Sequence, residues 1–173
     1  MTVSTLAANI LAELAGRGQT LASAESVTGG MIGALLTGVP GASESYLGGV
    51  ISYATRLKAT LAGVTASTLT ELGPVAAGTA VEMARGVAER CSADWGLATT
   101  GVAGPDTQNG HPVGQVFVAV SHQSSDLLSV RELLLQGDRA RIRELSAVAA
   151  LGLLAEALGL KSGASGVDDP LVT

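Results

Sequence analysis

The chain has 173 residues, 47% of them hydrophobic, only 2% aromatic and 14% charged, with 23 glycines and a formal net charge of −5. That length fits one domain whose core is built from small aliphatic side chains, so its elements can pack closely. The acidic balance excludes non-specific nucleic-acid binding, which needs a cationic surface, and the lone Cys91 excludes an internal disulfide framework.

In chain order, residues 5–17 place Leu6, Ile10, Leu11 and Leu14 at helical spacing, with Gly16 and Gly18 as a stop signal. Residues 20–24 form a short inner strand, and Glu25-Ser26-Val27-Thr28-Gly29-Gly30 a turn. Met31, Ile32, Leu35 and Leu36 resume helical spacing up to Gly38, with Pro40 beyond it. Residues 47–53 make the next strand, where Gly48-Gly49 signals a bulge or a close backbone approach. Residues 55–61 are a helical turn, and residues 66–72 a short helix capped by Thr65 or Ser67.

Gly73-Pro74 marks a break before a long helix over residues 75–91, with Ala80, Met83, Ala84 and Val87 on one face. A strand over 95–100 leads into the loop Gly101-Val102-Ala103-Gly104-Pro105-Asp106, and residues 107–112 carry turn chemistry. Strands over 115–121 and 127–135 are separated by few residues, which predicts an antiparallel hairpin. Asp138 caps a final helix reaching about Leu158, and residues 162–173, rich in Gly, Ser and Asp, are expected to be a disordered tail. Interleaved helices and strands predict a single α/β domain over residues 1–161, a three-layer α-β-α sandwich whose hairpin makes the sheet mixed. No apolar run reaches the roughly 18–20 residues of a membrane span, and no leader pattern opens the chain. A cytoplasmic protein without membrane or nucleic-acid partners is expected.

Four stretches could carry chemistry. Ser26 stands between a strand and a helix start, beside the unpaired N–H groups of Thr28, Gly29 and Gly30. Such donors favour a developing oxyanion; the plain alternative is that Ser26 or Thr28 caps the helix. Tyr53 and Lys58 follow the second strand, and a lysine acts as a general base only when burial or nearby cations lower its pKa. The alternative there is a surface lysine beside a half-buried tyrosine. Thr100, Gly101, Ala103 and Gly104 lie in a strand-to-loop turn whose backbone amides can approach a phosphate or sugar, or simply turn the chain. Arg139, Arg141 and Arg143 sit at a helix start, where cations are disfavoured unless an anion joins them; Asp138 and Glu144 offer a local balance instead. Neither Cys91 nor His111 and His122 stand in a hydrolase or metal-ligand spacing.

Taken together and in this order, these stretches resemble the C-terminal domain family of the competence/damage-inducible protein CinA. The matching residues are Ala24-Glu25-Ser26-Val27-Thr28-Gly29-Gly30, Gly41-Ala42-Ser43, Gly49-Val50-Ile51-Ser52-Tyr53 with Lys58, and Met83-Ala84-Arg85-Gly86. They continue with Thr100-Gly101-Val102-Ala103-Gly104-Pro105-Asp106, Pro112-Val113-Gly114 and Gly137-Asp138-Arg139 with Arg143. The resemblance implies a nicotinamide-nucleotide amidohydrolase of pyridine nucleotide salvage, which turns nicotinamide mononucleotide into nicotinate mononucleotide and ammonia. It implies Ser26 as nucleophile, Lys58 as base, Tyr53 as a group that orients Lys58 or shares its proton, and backbone amides near Thr28 and Gly29 as oxyanion donors. Arg139 or Arg143, with the Thr100 loop, would take the phosphoribosyl half. No metal or redox cofactor is implied, and members of the family tend to be homo-oligomers. Two positions depart from the usual pattern: Val27 stands where a Cys or small residue is common, and Gly73-Pro74-Val75-Ala76 lacks a helix-capping serine. The larger N-terminal domain of some members has no counterpart here, so a stand-alone form is expected.

The competing class is a nucleotide-binding regulatory module of the same fold without turnover; retention of Ser26, Tyr53 and Lys58 together favours the enzyme. An amidase for another small carboxamide is the third reading. The amidase readings share one geometric expectation, that Ser26 and Lys58 lie within hydrogen-bond reach of each other, allowing for the looser geometry of a site without substrate; failing that, the scaffold survives only as a binder.

Overall fold

The computed structural model describes residues 2–125 and 127–160. Its elements are α1 (Val3–Arg17), β1 (Leu21–Glu25), α2 (Met31–Thr37), β2 (Tyr46–Ile51), α3 (Thr55–Thr60), α4 (Ala66–Glu71), α5 (Ala77–Cys91), β3 (Trp95–Gly101), β4 (Gln115–His122), β5 (Leu128–Leu134) and α6 (Arg139–Ala157). The tail expected to be disordered lies outside the described residues.

The strands form one sheet in the order β2-β1-β3-β4-β5. β1 runs parallel to both β2 and β3, while β3, β4 and β5 are antiparallel neighbours. The expected mixed sheet and hairpin are therefore present. Alternation along the strands sends Leu21, Trp95, Leu97, Val116, Val118 and Val120 into a core shared with α1, α2 and α6. Ala22, Ala24, Ala98, Phe117 and Ala119 face a second core under α5. This second face is paved largely with alanine, so α5 seats close to the sheet. A Cβ at Gly96 would collide with the Ala84 carbonyl, which makes glycine necessary there.

Local chemistry explains the element ends. Gly18 adopts a left-handed conformation (φ 62°) and closes α1 through bonds to Ala15 and Leu14. Thr65 caps α4, its hydroxyl accepting from the Thr68 N–H, and Asp138 caps α6 by accepting from the Arg141 N–H. α5 begins at Ala77, two residues later than the spacing predicts, and its N-cap Ala76 offers no side-chain acceptor. The Gly48-Gly49 pair produces both features expected of it: the β1–β2 register slips between Leu21–Tyr46 and Ala22–Gly48, and a Cβ at Gly49 would strike the Ser23 backbone.

This topology sets the place of the site. The connection after β1 leads to α2 on one face of the sheet, and that after β2 leads to α3 and α5 on the other. Such a divergence opens a crevice at the carboxyl ends of the strands. No helix among the described residues is long and apolar enough to cross a membrane.

Candidate active site

A cavity of about 190 Å³ lies at those strand ends. Ser26 and Val27 reach it from the turn after β1, Tyr53, Thr55 and Lys58 from the segment after β2, and Pro74 and Val75 from the approach to α5. Thr100 through Gly104, with Asp106 and Gln108, come from the end of β3 and its loop, and Arg139 from the start of α6.

The Ser26 turn is held by two charged side chains that spacing alone does not reveal. Glu25, 3% exposed, folds its carboxylate back onto the start of α2. Oε2 accepts from the N–H groups of Gly30 (2.9 Å) and Ile32 (3.1 Å), and Oε1 from that of Gly33 (2.9 Å). These bonds use the helix-terminal donors and set the carboxylate at the positive end of the helix dipole. Gly30 is thereby removed from the expected oxyanion donors, because its amide already serves Glu25. Behind the turn, Arg143 donates from Nε to the Val27 carbonyl (3.2 Å) and from Nη2 to the Thr28 carbonyl (2.9 Å). Arg143 therefore braces the Ser26 turn and does not line the cavity, in contrast to the expectation that it meets substrate. Arg141 pairs with Glu144 at 3.8 Å, so the basic first turn of α6 is explained within the chain. Thr28, fully buried, bonds Thr99 hydroxyl to hydroxyl at 2.8 Å.

Glu25→Gln is expected to lower unfolding free energy by about 2–4 kcal/mol, because the amide nitrogen would face a backbone N–H donor in a buried place. Urea unfolding monitored by circular dichroism checks it; a change below about 0.5 kcal/mol would mean that solvent replaces the carboxylate.

Lys58 occupies an unusual place for its residue type. It is 2% exposed, points from α3 beneath α5, and forms no ion pair among the described residues. Nζ donates to Thr100 Oγ1 at 3.2 Å and lies 4.0 Å from Met83 Sδ. Burial lowers its pKa from 10.5 to about 8, with no acidic neighbour among the described residues to oppose the shift. Thr100 directs its own proton to the Pro74 carbonyl (2.6 Å), so its oxygen is left to accept from Lys58. Thr100, expected to touch substrate, is thus a holder of the lysine through its hydroxyl, although it also borders the cavity.

Ser26 and Lys58 share the cavity, but no direct hydrogen bond joins them among the described residues. The expectation of direct pairing is corrected to adjacency, and the register gives the reason. Glu25 pairs with Thr99, and the Ser26 N–H continues the ladder to the Thr99 carbonyl at 3.0 Å. Ser26 and Thr100 therefore stand side by side on neighbouring strands, about 4.8 Å apart in the ladder direction, on the face occupied by Ala24 and Ala98. Lys58 rests on the Thr100 hydroxyl, one strand away from Ser26. Catalytic hydrogen bonds commonly tighten only when substrate arrives.

Tyr53 is 62% exposed and its hydroxyl accepts from Arg139 Nη2 at 2.8 Å, not from Lys58. It forms the rim, because the extended segment after β2 turns it outward while α3 turns Lys58 inward. Arg139 also donates from Nη1 to the Gly104 carbonyl at 2.7 Å, which ties the rim to the turn containing the cis Gly104–Pro105 peptide. Two of its nitrogens are thus anchored and its remaining donors stay open to an anion. Ala103 lines the buried wall, with Gly101 beside it. Among the described residues, no cluster of three or more His, Cys, Asp or Glu side chains suited to a metal occurs.

The model of the CinA C-terminal domain matches residues 3–158. A CinA-like protein from Frankia casuarinae is 46% identical over 145 residues, covering 84% of this chain and 33% of the relative. A second, from Acidobacterium capsulatum, is 44% identical over 151 residues, covering 87% of this chain and 36% of the relative. The chain therefore spans about a third of the length of these curated relatives. Among solved structures, the competence/damage inducible protein CihA from Agrobacterium tumefaciens superposes with a TM-score of 0.85 at 33% identity, covering 91% of this chain and 95% of that one. A CinA superfamily protein from Klebsiella pneumoniae gives a TM-score of 0.87 at 27% identity, over 92% and 99% of the two chains.

Proposed function

We propose, from the premise that this chain belongs to the CinA C-terminal domain family, that it hydrolyses the carboxamide of nicotinamide mononucleotide to nicotinate mononucleotide and ammonia. The observation that carries this reading is Lys58: a buried lysine without a carboxylate partner among the described residues, its pKa drawn down to about 8, in one cavity with Ser26. A lysine kept only for structure would sit better with an acidic partner. A group poised near neutrality is what general-base chemistry requires.

Substrate entry draws Lys58 Nζ from Thr100 toward Ser26. Ser26 Oγ attacks the carboxamide carbon, the C=O electrons move onto oxygen, and the serine proton passes to neutral Lys58 Nζ. The oxyanion falls to the amides of Thr28 and Gly29, which Glu25 leaves free but which do not border the cavity before substrate enters. Collapse breaks the C–N bond as Lys58 returns its proton to the nitrogen, and ammonia leaves. Water, deprotonated by the again neutral Lys58, attacks the acyl-enzyme; Lys58 then protonates departing Ser26 Oγ. No metal or redox group takes part. Arg139, anchored through Tyr53 and Gly104, offers its open donors to the phosphate.

The Arg139 assignment separates a nucleotide amidase from an amidase for free carboxamides. Arg139→Ala is expected to raise KM for nicotinamide mononucleotide by about 10- to 100-fold, the loss of a charge-assisted contact, and to change KM for free nicotinamide little. Steady-state kinetics on both substrates measures the split. Equal effects on the two would remove the phosphate from the reading.

A further inference from the structure

Ser52 has no role in the chemistry above. Its side chain is fully buried and Ser52 Oγ has no hydrogen-bond partner among the described residues. A buried hydroxyl left unpaired is costly; Ser45 and Ser121 share that state, but of the three only Ser52 is followed directly by a residue that lines the cavity, Tyr53.

The register identifies its neighbours. Glu25 pairs with Ile51 across β1 and β2, and the Ser52 N–H continues the ladder to the Glu25 carbonyl at 2.9 Å. Ser52 therefore stands beside Ser26 on one flank, as Thr100 stands beside it on the other. All three lie two residues beyond Val50, Ala24 and Ala98, which are paired in register and face the core beneath α5. The hydroxyls of Ser52, Ser26 and Thr100 thus form one row across three parallel strands, on the side from which Lys58 and Met83 approach. Thr100 has both its donor and an acceptor site in use, through Pro74 and Lys58. Among the described residues neither Ser26 nor Ser52 has a hydroxyl hydrogen bond; Ser26 borders the cavity, whereas Ser52 Oγ is sealed from solvent.

We propose that Ser52 is a positioning residue for the nucleophile: its O–H donates to Ser26 Oγ in the substrate-bound enzyme and turns the Ser26 proton toward Lys58. A side-chain rotation of Ser52 suffices, since neighbouring strands are about 4.8 Å apart and the Ser52 backbone is already pinned to Glu25. No covalent step is added; Ser52 fixes a rotamer and carries no proton to product.

This inference rests on the amidase reading, and the test separates the two. Ser52→Ala is compared with wild type for ammonia release from nicotinamide mononucleotide, for the rate of Ser26 labelling by a fluorophosphonate, and for the thermal midpoint. The expected result is a kcat lowered about 10- to 100-fold, as for a misaligned reacting group, with KM within about twofold. Labelling should slow in parallel, and the midpoint should stay unchanged or rise because an unpaired buried hydroxyl is gone. A kcat and labelling rate equal to wild type would overturn the Ser52 role alone. Lost activity together with a lowered midpoint would overturn it too, by showing a structural contact. A wild-type protein that neither releases ammonia nor takes up the label would overturn the amidase reading and this inference with it.

Discussion

Lys58→Met is expected to lower kcat/KM by about 10²- to 10⁴-fold, the range of a lost general base, while making the folded protein more stable. Methionine keeps the volume and removes the charge, so the cavity that alanine would leave does not confuse the result. The sign follows from proton linkage. The folded-state pKa of about 8 lies below the ordinary 10.5, so between those values the unfolded chain binds more protons than the folded one. Stability therefore rises with pH through that window. Below pH 8 the folded protein carries the full cost of a buried ammonium, of order 3 kcal/mol for such a shift, and above 10.5 that cost is gone. Loss of the Thr100 contact offsets part of the gain. Lys58→Met should then gain about 1–3 kcal/mol at pH 7, seen as a midpoint several degrees higher, with the difference shrinking toward pH 10.5. In wild type the same group is expected to give kcat/KM an acid limb, with activity falling as pH drops through about 8, because a general base would become protonated. Thermal scans and rate profiles across pH measure both effects. A destabilised variant, or a flat acid limb, would mean that Lys58 is a structural cation.

Ser26→Ala is expected to lower kcat/KM by about 10⁴-fold or more, as for other serine nucleophiles acting with a base. Its stability should move by no more than about 0.5 kcal/mol, because the hydroxyl faces the cavity and the turn is held by Glu25 and Arg143. The double variant Ser26→Ala with Lys58→Met should be no slower than the worse single variant, since groups acting as one unit are non-additive. Acid-quenched wild type should show the acyl adduct on Ser26 by mass spectrometry, and Ser26→Ala should show none. Losses that multiply in the double variant would mean that the two residues act in separate steps.

Much of the fold is legible in the residues because local chemistry and burial agree there. The Gly18 stop, the Thr65 and Asp138 caps, the Gly48-Gly49 bulge and the β4–β5 hairpin each have a short-range cause, and each is found in place. Spatial grouping was legible at coarser grain: Ser26, Tyr53, Lys58, Thr100, Gly101, Ala103, Gly104 and Arg139 all border one cavity, while Thr28, Gly29, Gly30 and Arg143 do not. What spacing does not disclose is which partner each polar group takes, since that depends on register and on which element covers it. Tyr53 turns to Arg139, Lys58 to Thr100, and Arg143 to the carbonyls of the Ser26 turn. Glu25 was visible only as part of a motif, and its hold on the amides of Gly30, Ile32 and Gly33 appears once α2 is folded against it. Ser52 was likewise a motif letter until the β1–β2 register set it beside Ser26.

The most direct measurement is product formation from nicotinamide mononucleotide at a pH just above the Lys58 midpoint of about 8, with wild type and Ser26→Ala run side by side. Equimolar ammonia and nicotinate mononucleotide from wild type, with neither above background from Ser26→Ala, is the predicted result. No product from wild type, or equal product from both, would contradict a Ser26–Lys58 amidohydrolase.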